Sequence, residues 1–224
     1  MCFSAPASFT ASFVLGVIGL ISLYEVRTKS KRALLLALCP LIFSIQQGME
    51  GIVWLTHTRP DLDWFQQISS YAFLIVALSL WPVWVPWSVY LLEKQNLRKK
   101  MIFALGILGC LSSILGAYCL AKVGGGMKVN CHHISYVVFT ADHWDIVAGI
   151  SLDWVYCFGY LFSILVPLFI SRIQGLWVIG ACVAVGLVVS KIFYAYALGS
   201  VWCFFAALSS LLIYFVIRRL PLKN

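Results

Sequence analysis

Residues 98–126 read RKKMIFALGILGCLSSILGAYCLAKVGGG. Three cations end at Lys100, no charge follows before Lys122, and three glycines close the run. An α-helix needs roughly 20 apolar residues to cross the hydrocarbon of a bilayer, so 101–121 predicts one span with a basic flank on one side only.

The pattern repeats along the chain. Spans are predicted at 7–25, 33–55, 65–92, 101–121, 146–171, 175–197 and 199–217, with one long loop at 122–145. The first apolar run has no basic residues before it and charged Glu25 and Arg27 after it, so it reads as a helix and not as a cleaved signal peptide. The expected fold is a single all-α domain over 1–224, a bundle of about seven transmembrane helices. Composition agrees: of 224 residues, 62% are hydrophobic and 11% charged, against about 25% charged in a soluble domain. Lipid is thus the expected partner, and a nucleic-acid role would need a folded, water-facing basic surface that such a chain lacks.

Orientation follows from the cations. Loops 26–32, 93–100 and 172–174 and the tail after 217 hold twelve Lys and Arg, whereas the other side holds Arg59, Lys122 and Lys128. The positive-inside rule places the twelve in the cytoplasm, the C-terminus with them, and the N-terminus outside. The net charge of +8 is then first a topology signal. Within 65–92, Trp81-Pro82-Val83-Trp84-Val85-Pro86-Trp87 predicts a kink, because two prolines remove backbone donors. Its tryptophans are expected at headgroup level.

Three ionisable residues fall inside spans: Glu50, Asp153 and Lys191. On the predicted boundaries each lies about 8–11 Å below the outer surface. Buried charges must face each other or a wet cavity, which predicts an outward-facing polar pocket. Gln46 and Gln47 share the helical face of Glu50, and Tyr156 and Tyr194 follow Asp153 and Lys191 by one turn. The pocket would bind a small molecule, a proton or a cation, in sensing or transport. The same residues also suit a purely structural clasp. The outer loop offers Cys131, His132, His133, Tyr136, Asp142, His143 and Asp145, so a transition metal held by His132, His133, His143 and Asp142 is the candidate cofactor. With Glu50 as base that would make a membrane metalloenzyme or redox protein. No HExxH or paired CxxC supports it, and the chain reads as a binding protein before an enzyme. The outer face of a bacterial plasma membrane is oxidising, so Cys2 with Cys203 and Cys119 with Cys131 are candidate disulfides. Cys39, Cys110, Cys157 and Cys182, like the glycines at 16, 19, 106, 109, 116, 180 and 186, read as packing residues.

The opening Met1-Cys2-Phe3-Ser4-Ala5 with Ala7-Ser8-Phe9, the element Gln46-Gln47…Glu50-Gly51…Trp54, His133-Ile134-Ser135-Tyr136, and Ser200-Val201-Trp202-Cys203-Phe204-Phe205-Ala206-Ala207 together carry a resemblance. The chain resembles a family of bacterial multi-pass membrane proteins that begin MCFSATASF and end with SVWCFFAA, differing by Pro6 where Thr is common. That implies a bacterial plasma (inner) membrane and no particular activity. It draws weight to Cys2, Gln46, Gln47, Glu50, His133, Tyr136, Trp202 and Cys203, which the predicted topology puts at or near one outer face. Microbial rhodopsins and alkaline ceramidase-like hydrolases share the helix count only. Here the span lysine is on the sixth helix and no histidine lies in a span.

Overall fold

The computed structural model describes residues 4–130, 133–139, 146–147 and 150–222. Its helices are α1 (Ala5–Thr28), α2 (Leu34–Thr56), α3 (Asp63–Ile75), α4 (Trp81–Leu92), α5 (Asn96–Val123), α6 (Leu152–Ile170), α7 (Leu176–Phe193), α8 (Leu198–Ser210) and α9 (Leu212–Arg218). A π-helical segment, Val76–Leu80, joins α3 to α4 without a break, and α8 and α9 run together. Six helical stretches are long and apolar enough to cross a membrane: Ala5–Thr28, Lys31–Thr56, Pro60–Leu92, Asn96–Val123, Leu176–Phe193 and Ala195–Arg218. Trp154–Ile170 is a shorter apolar helix. The all-α expectation fits.

The π segment has a chemical cause. Pro82 has no N–H to give the carbonyl of Leu78, and its ring clashes with that carbonyl in a regular helix. Widening the turn relieves the clash and strands carbonyls that have no water to turn to. Tyr156 Oη donates to the Leu78 carbonyl at 3.0 Å, and Tyr160 Oη donates to the Ala77 carbonyl at 2.6 Å. Both hydroxyls come from α6. On the other side, α5 closes in through glycines: a Cβ on Gly109 would lie 1.8 Å from the Pro82 carbonyl oxygen, and one on Gly116 would lie 2.7 Å from that of Leu78.

Two tryptophans of this segment, Trp81 and Trp84, turn toward α2. Trp81 is buried and stacks on Phe43 with ring centroids 3.9 Å apart. Trp84 Nε1 donates to the Leu35 carbonyl at 2.9 Å. Between α1 and α2, Ser12 Oγ donates to the Ser44 carbonyl at 2.7 Å, and Ser44 Oγ donates to the Ser12 carbonyl at 2.6 Å. Small polar residues thus fasten this helix pair through reciprocal hydrogen bonds.

Three predicted boundaries move. Helix α6 starts at Leu152, since Ile146–Val147 and Ile150–Ser151 pair as two short antiparallel strands. Helix α7 stops at Phe193, and a 3₁₀ turn at Ala195–Ala197 replaces the expected link at 198–200. The outer loop holds a hairpin, β1 (Met127–Asn130) with β2 (His133–Tyr136), in the register Met127↔Tyr136 and Asn130↔His133. Gly124, at φ 86°, ends α5 in a conformation that side chains resist and leads the chain into this hairpin.

At the other end, Glu93 ties two corners. Its Oε1 accepts from the backbone N–H of Lys94 and Gln95 at 3.0 and 3.1 Å, and its Oε2 accepts from Ser171 Oγ and the Arg172 N–H, both at 3.0 Å. Arg98 adds a bond from Nη1 to the Ile170 carbonyl. Burial alone would raise the Glu93 pKa, but these four donors outweigh it and hold the carboxyl below its ordinary value.

Replacing Tyr160 with Phe should leave the Ala77 carbonyl without its donor and cost about 1–3 kcal/mol, read as a lower melting temperature in mild detergent. For Glu93, a depressed folded pKa means the stabilisation is complete above the unfolded value of about 4.5 and is lost as pH falls through the folded value. Glu93→Gln should therefore melt below wild type at pH 7, and the gap should narrow as the pH is lowered below 4.5.

Candidate functional site

Helix α2 brings three polar side chains into the bundle: Gln46, Gln47 and Glu50 are all 0% exposed. The spacing explains the grouping, because residues three and four apart share a helical face. On the flank toward α1, Gly48 and Gly51 face Ser12 and Phe9.

Each polar residue has a distinct setting. Gln46 Oε1 accepts from Trp81 Nε1 at 3.1 Å, and Gln46 Nε2 donates to Cys203 Sγ at 3.4 Å. One amide thus links α2 to α4 and α8. Ser200 Oγ, in the first turn of α8, donates to Glu50 Oε1. Gln47 differs: among the described residues neither Nε2 nor Oε1 has a hydrogen-bond partner. One turn beyond Glu50, the buried Nε1 of Trp54 also lacks an acceptor. Unpaired buried polar groups cost about 1–3 kcal/mol each, so this cluster is incomplete as it stands.

Strand β2 packs against α8 near Ser200. Ser135 Oγ donates to the Tyr196 carbonyl at 2.6 Å, and His133 Nδ1 is 3.2 Å from Tyr196 Oη. The His133 ring lies 5.0 Å from that of Tyr194, and Tyr136 stacks on Phe73 at 4.8 Å. Pairing of these residues with aromatic groups on α3 and on the α7–α8 turn seats the hairpin on one end of the bundle. Deeper in the bundle lies a space of about 70 Å³ bordered by Phe43, Trp81, Tyr160, Trp202 and Cys203.

The residues expected at the pocket separate into groups. Gln46, Gln47, Glu50 and Cys203 are buried together, and His133 and Tyr136 are buried in the hairpin above α8. Trp202 turns elsewhere, with Nε1 donating to the Val183 carbonyl at 3.1 Å and its ring 5.7 Å from Tyr160. Lys191 is exposed and does not meet Glu50. Because α7 ends at Phe193, Lys191 occupies the last turn, where a cation complements the helix dipole. Asp153 is the second residue of α6, and its side chain lies outside the described residues. Glu50 is about 9 Å inside the end of its helix by residue count, whereas Asp153 and Lys191 sit in the first and last turns of theirs.

Cys119 and Cys203 are free thiols, so neither expected disulfide is formed. Cys2, Cys131, His132, Asp142, His143 and Asp145 lie outside the described residues. No group of three or more metal-ligating side chains occurs among the described residues. Sequence reasoning had no reason to select Ser200, Trp81 or Trp54 as site residues. Ser200 and Trp54 lie within the quoted motifs, but nothing in spacing pairs Ser200 with a residue 150 positions away.

Over its full length, residues 1–224, the chain matches a family of unknown function (DUF6629), and it belongs to that family. No curated protein and no solved structure matches it.

Trp81→Phe keeps the stack on Phe43 and removes the donor to Gln46. It should cost about 1–3 kcal/mol by leaving a buried amide oxygen unpaired, seen as a melting shift larger than that of Trp177→Phe on the exposed surface.

Proposed function

From this family membership and this geometry, we propose that the chain is a bacterial plasma-membrane protein of about seven spans, N-terminus outside and C-terminus in the cytoplasm, that binds a small cation or a proton at Glu50. The observation that carries the reading is the buried Gln47 amide beside that carboxyl, whose oxygen and nitrogen both lack a hydrogen-bond partner among the described residues. Gln47 and Trp54 flank Glu50 along α2, and both are buried with hydrogen-bonding atoms unused. A carboxylate in the hydrocarbon layer costs several kcal/mol unless a countercharge or donors offset it. Carboxylate and amide oxygens are the ligands hard cations prefer, so an ion between Glu50 and Gln47 Oε1 would offset the charge and use that amide oxygen. Hairpin β1–β2 would serve as its outer cover.

The orientation draws support from the bundle itself. Residues from the four strongly basic segments line one cleft at a single end, as cytoplasmic loops would. Glu50 lies toward the other end of α2. The output of binding would be sensing or transport.

A structural clasp is the second reading, favoured by the bridge from Gln46 to Trp81 and Cys203. Glu50→Gln separates the two, since the amide still offers an oxygen to Ser200. In detergent-purified protein, wild-type melting temperature should change with sodium, potassium or pH, and Glu50→Gln should flatten at least one of these responses while remaining folded. A variant that titrates like wild type, or a wild type indifferent to all three, would leave only the clasp.

A further inference from the structure

The end of the bundle opposite Glu50 carries a cleft of about 790 Å³. It opens between the α1–α2 connection, the α4–α5 corner, the α6–α7 loop and the C-terminal segment. Lys31, Arg32, Lys94 and Arg172 line it, and all four side chains are exposed. None of the four has an ion-pair partner among the described residues. Glu93, the one carboxylate in the lining, already accepts four hydrogen bonds, three of them from backbone N–H groups. It builds the floor of the cleft and forms no ion pair with the cations around it. The Arg172 bond to it uses the backbone N–H, which leaves the guanidinium uncommitted.

Four like charges held at one opening repel one another, and a bound anion offsets that repulsion. Arginine presents paired donors that match phosphate oxygens. The remaining lining is apolar, with Leu92, Ile173 and Leu220 partly buried beside the cations. A free inorganic anion has no use for such a wall, whereas a lipid brings glycerol and acyl carbons to it. Gln95 adds a buried Oε1 without a donor, a place for a headgroup hydroxyl.

We propose that this cleft seats the phosphate headgroup of an anionic phospholipid, with the phosphate among Lys31, Arg32, Lys94 and Arg172 and the glycerol end of the lipid along the apolar wall. Basic pockets between helix ends on the cytoplasmic side suit this ligand class. The proposal rests on the chain's crossing a bilayer and is independent of ion binding at Glu50.

The test titrates detergent-purified protein with dioleoyl phosphatidylglycerol, dioleoyl phosphatidylcholine or inorganic phosphate and reads melting by tryptophan fluorescence. Phosphatidylglycerol should raise the wild-type melting temperature by on the order of 5 °C near saturation, and the shift should shrink as salt screens the contact. The double variant Lys31→Gln with Arg172→Gln should lose most of the shift, and Glu50→Gln should keep it, so failure here and failure of the Glu50 site are told apart. Equal shifts from both lipids, a shift indifferent to salt, a full response in the double variant, or the whole effect from inorganic phosphate alone would each overturn the proposal. The lipid comparison and salt dependence are read on wild type, so they decide the matter even if the double variant does not fold.

Discussion

Two carbonyl oxygens organise this bundle. Ala77 and Leu78 sit where Pro82 breaks the hydrogen-bond ladder of a long apolar helix, in an environment where no water can complete the bonding. Their donors are the hydroxyls of Tyr156 and Tyr160, one turn apart on α6. That requirement fixes which face of α6 meets α4 and at what height. Gly109 and Gly116 make room on the third side, since a methyl group at Gly116 would collide with the Leu78 carbonyl and one at Gly109 with that of Pro82. Two helices, α5 and α6, are thus held in register by one defect in a third.

The same defect shapes the polar cluster. Trp81 follows the π segment directly, and its inward turn lets the indole reach Gln46. Gln46 in turn holds Cys203 on α8, three residues from Ser200, which donates to Glu50. The chain of contacts from the Pro82 break to the Glu50 carboxyl is continuous through buried groups. Satisfaction is complete at the α4 side of this network and incomplete around Gln47 and Trp54. An incomplete network inside a packed core is unusual because of its energetic cost, and the reciprocal bonds of Ser12 and Ser44 show the matched alternative between α1 and α2.

The two ends of the bundle have opposite chemistry. One end carries aromatic rings, a short hairpin and a buried carboxyl below it. The other carries exposed cations around a Glu93 bracket built from backbone donors. Glu93 is confined by local geometry at helix ends, so it acts as a fastening. Glu50 lies in mid-bundle with neighbours that still have bonds to make.

Much of this was legible in the chain. Uncharged runs about 20 residues long dictate apolar helices, because a backbone without water must bond to itself, and the helices formed nearly where those runs lie. The motif around Gln46, Gln47 and Glu50 marked the buried face of α2 through simple helical periodicity. What the chain alone could not convey were relations between distant segments. Lys191 has the same look in sequence as a buried partner for Glu50, but the turn at Tyr194 ends α7 two residues later and leaves it exposed. At that turn Tyr194 and Tyr196 pack on His133, some sixty positions earlier. The tryptophans near Pro82 carry no sign of direction; their inward set depends on Gln46 and Leu35 as acceptors. Hydropathy and charge are local sums and so belong to the sequence. The pairing of each buried donor with its acceptor depends on how whole helices rotate and slide against one another, and tertiary packing alone decided it.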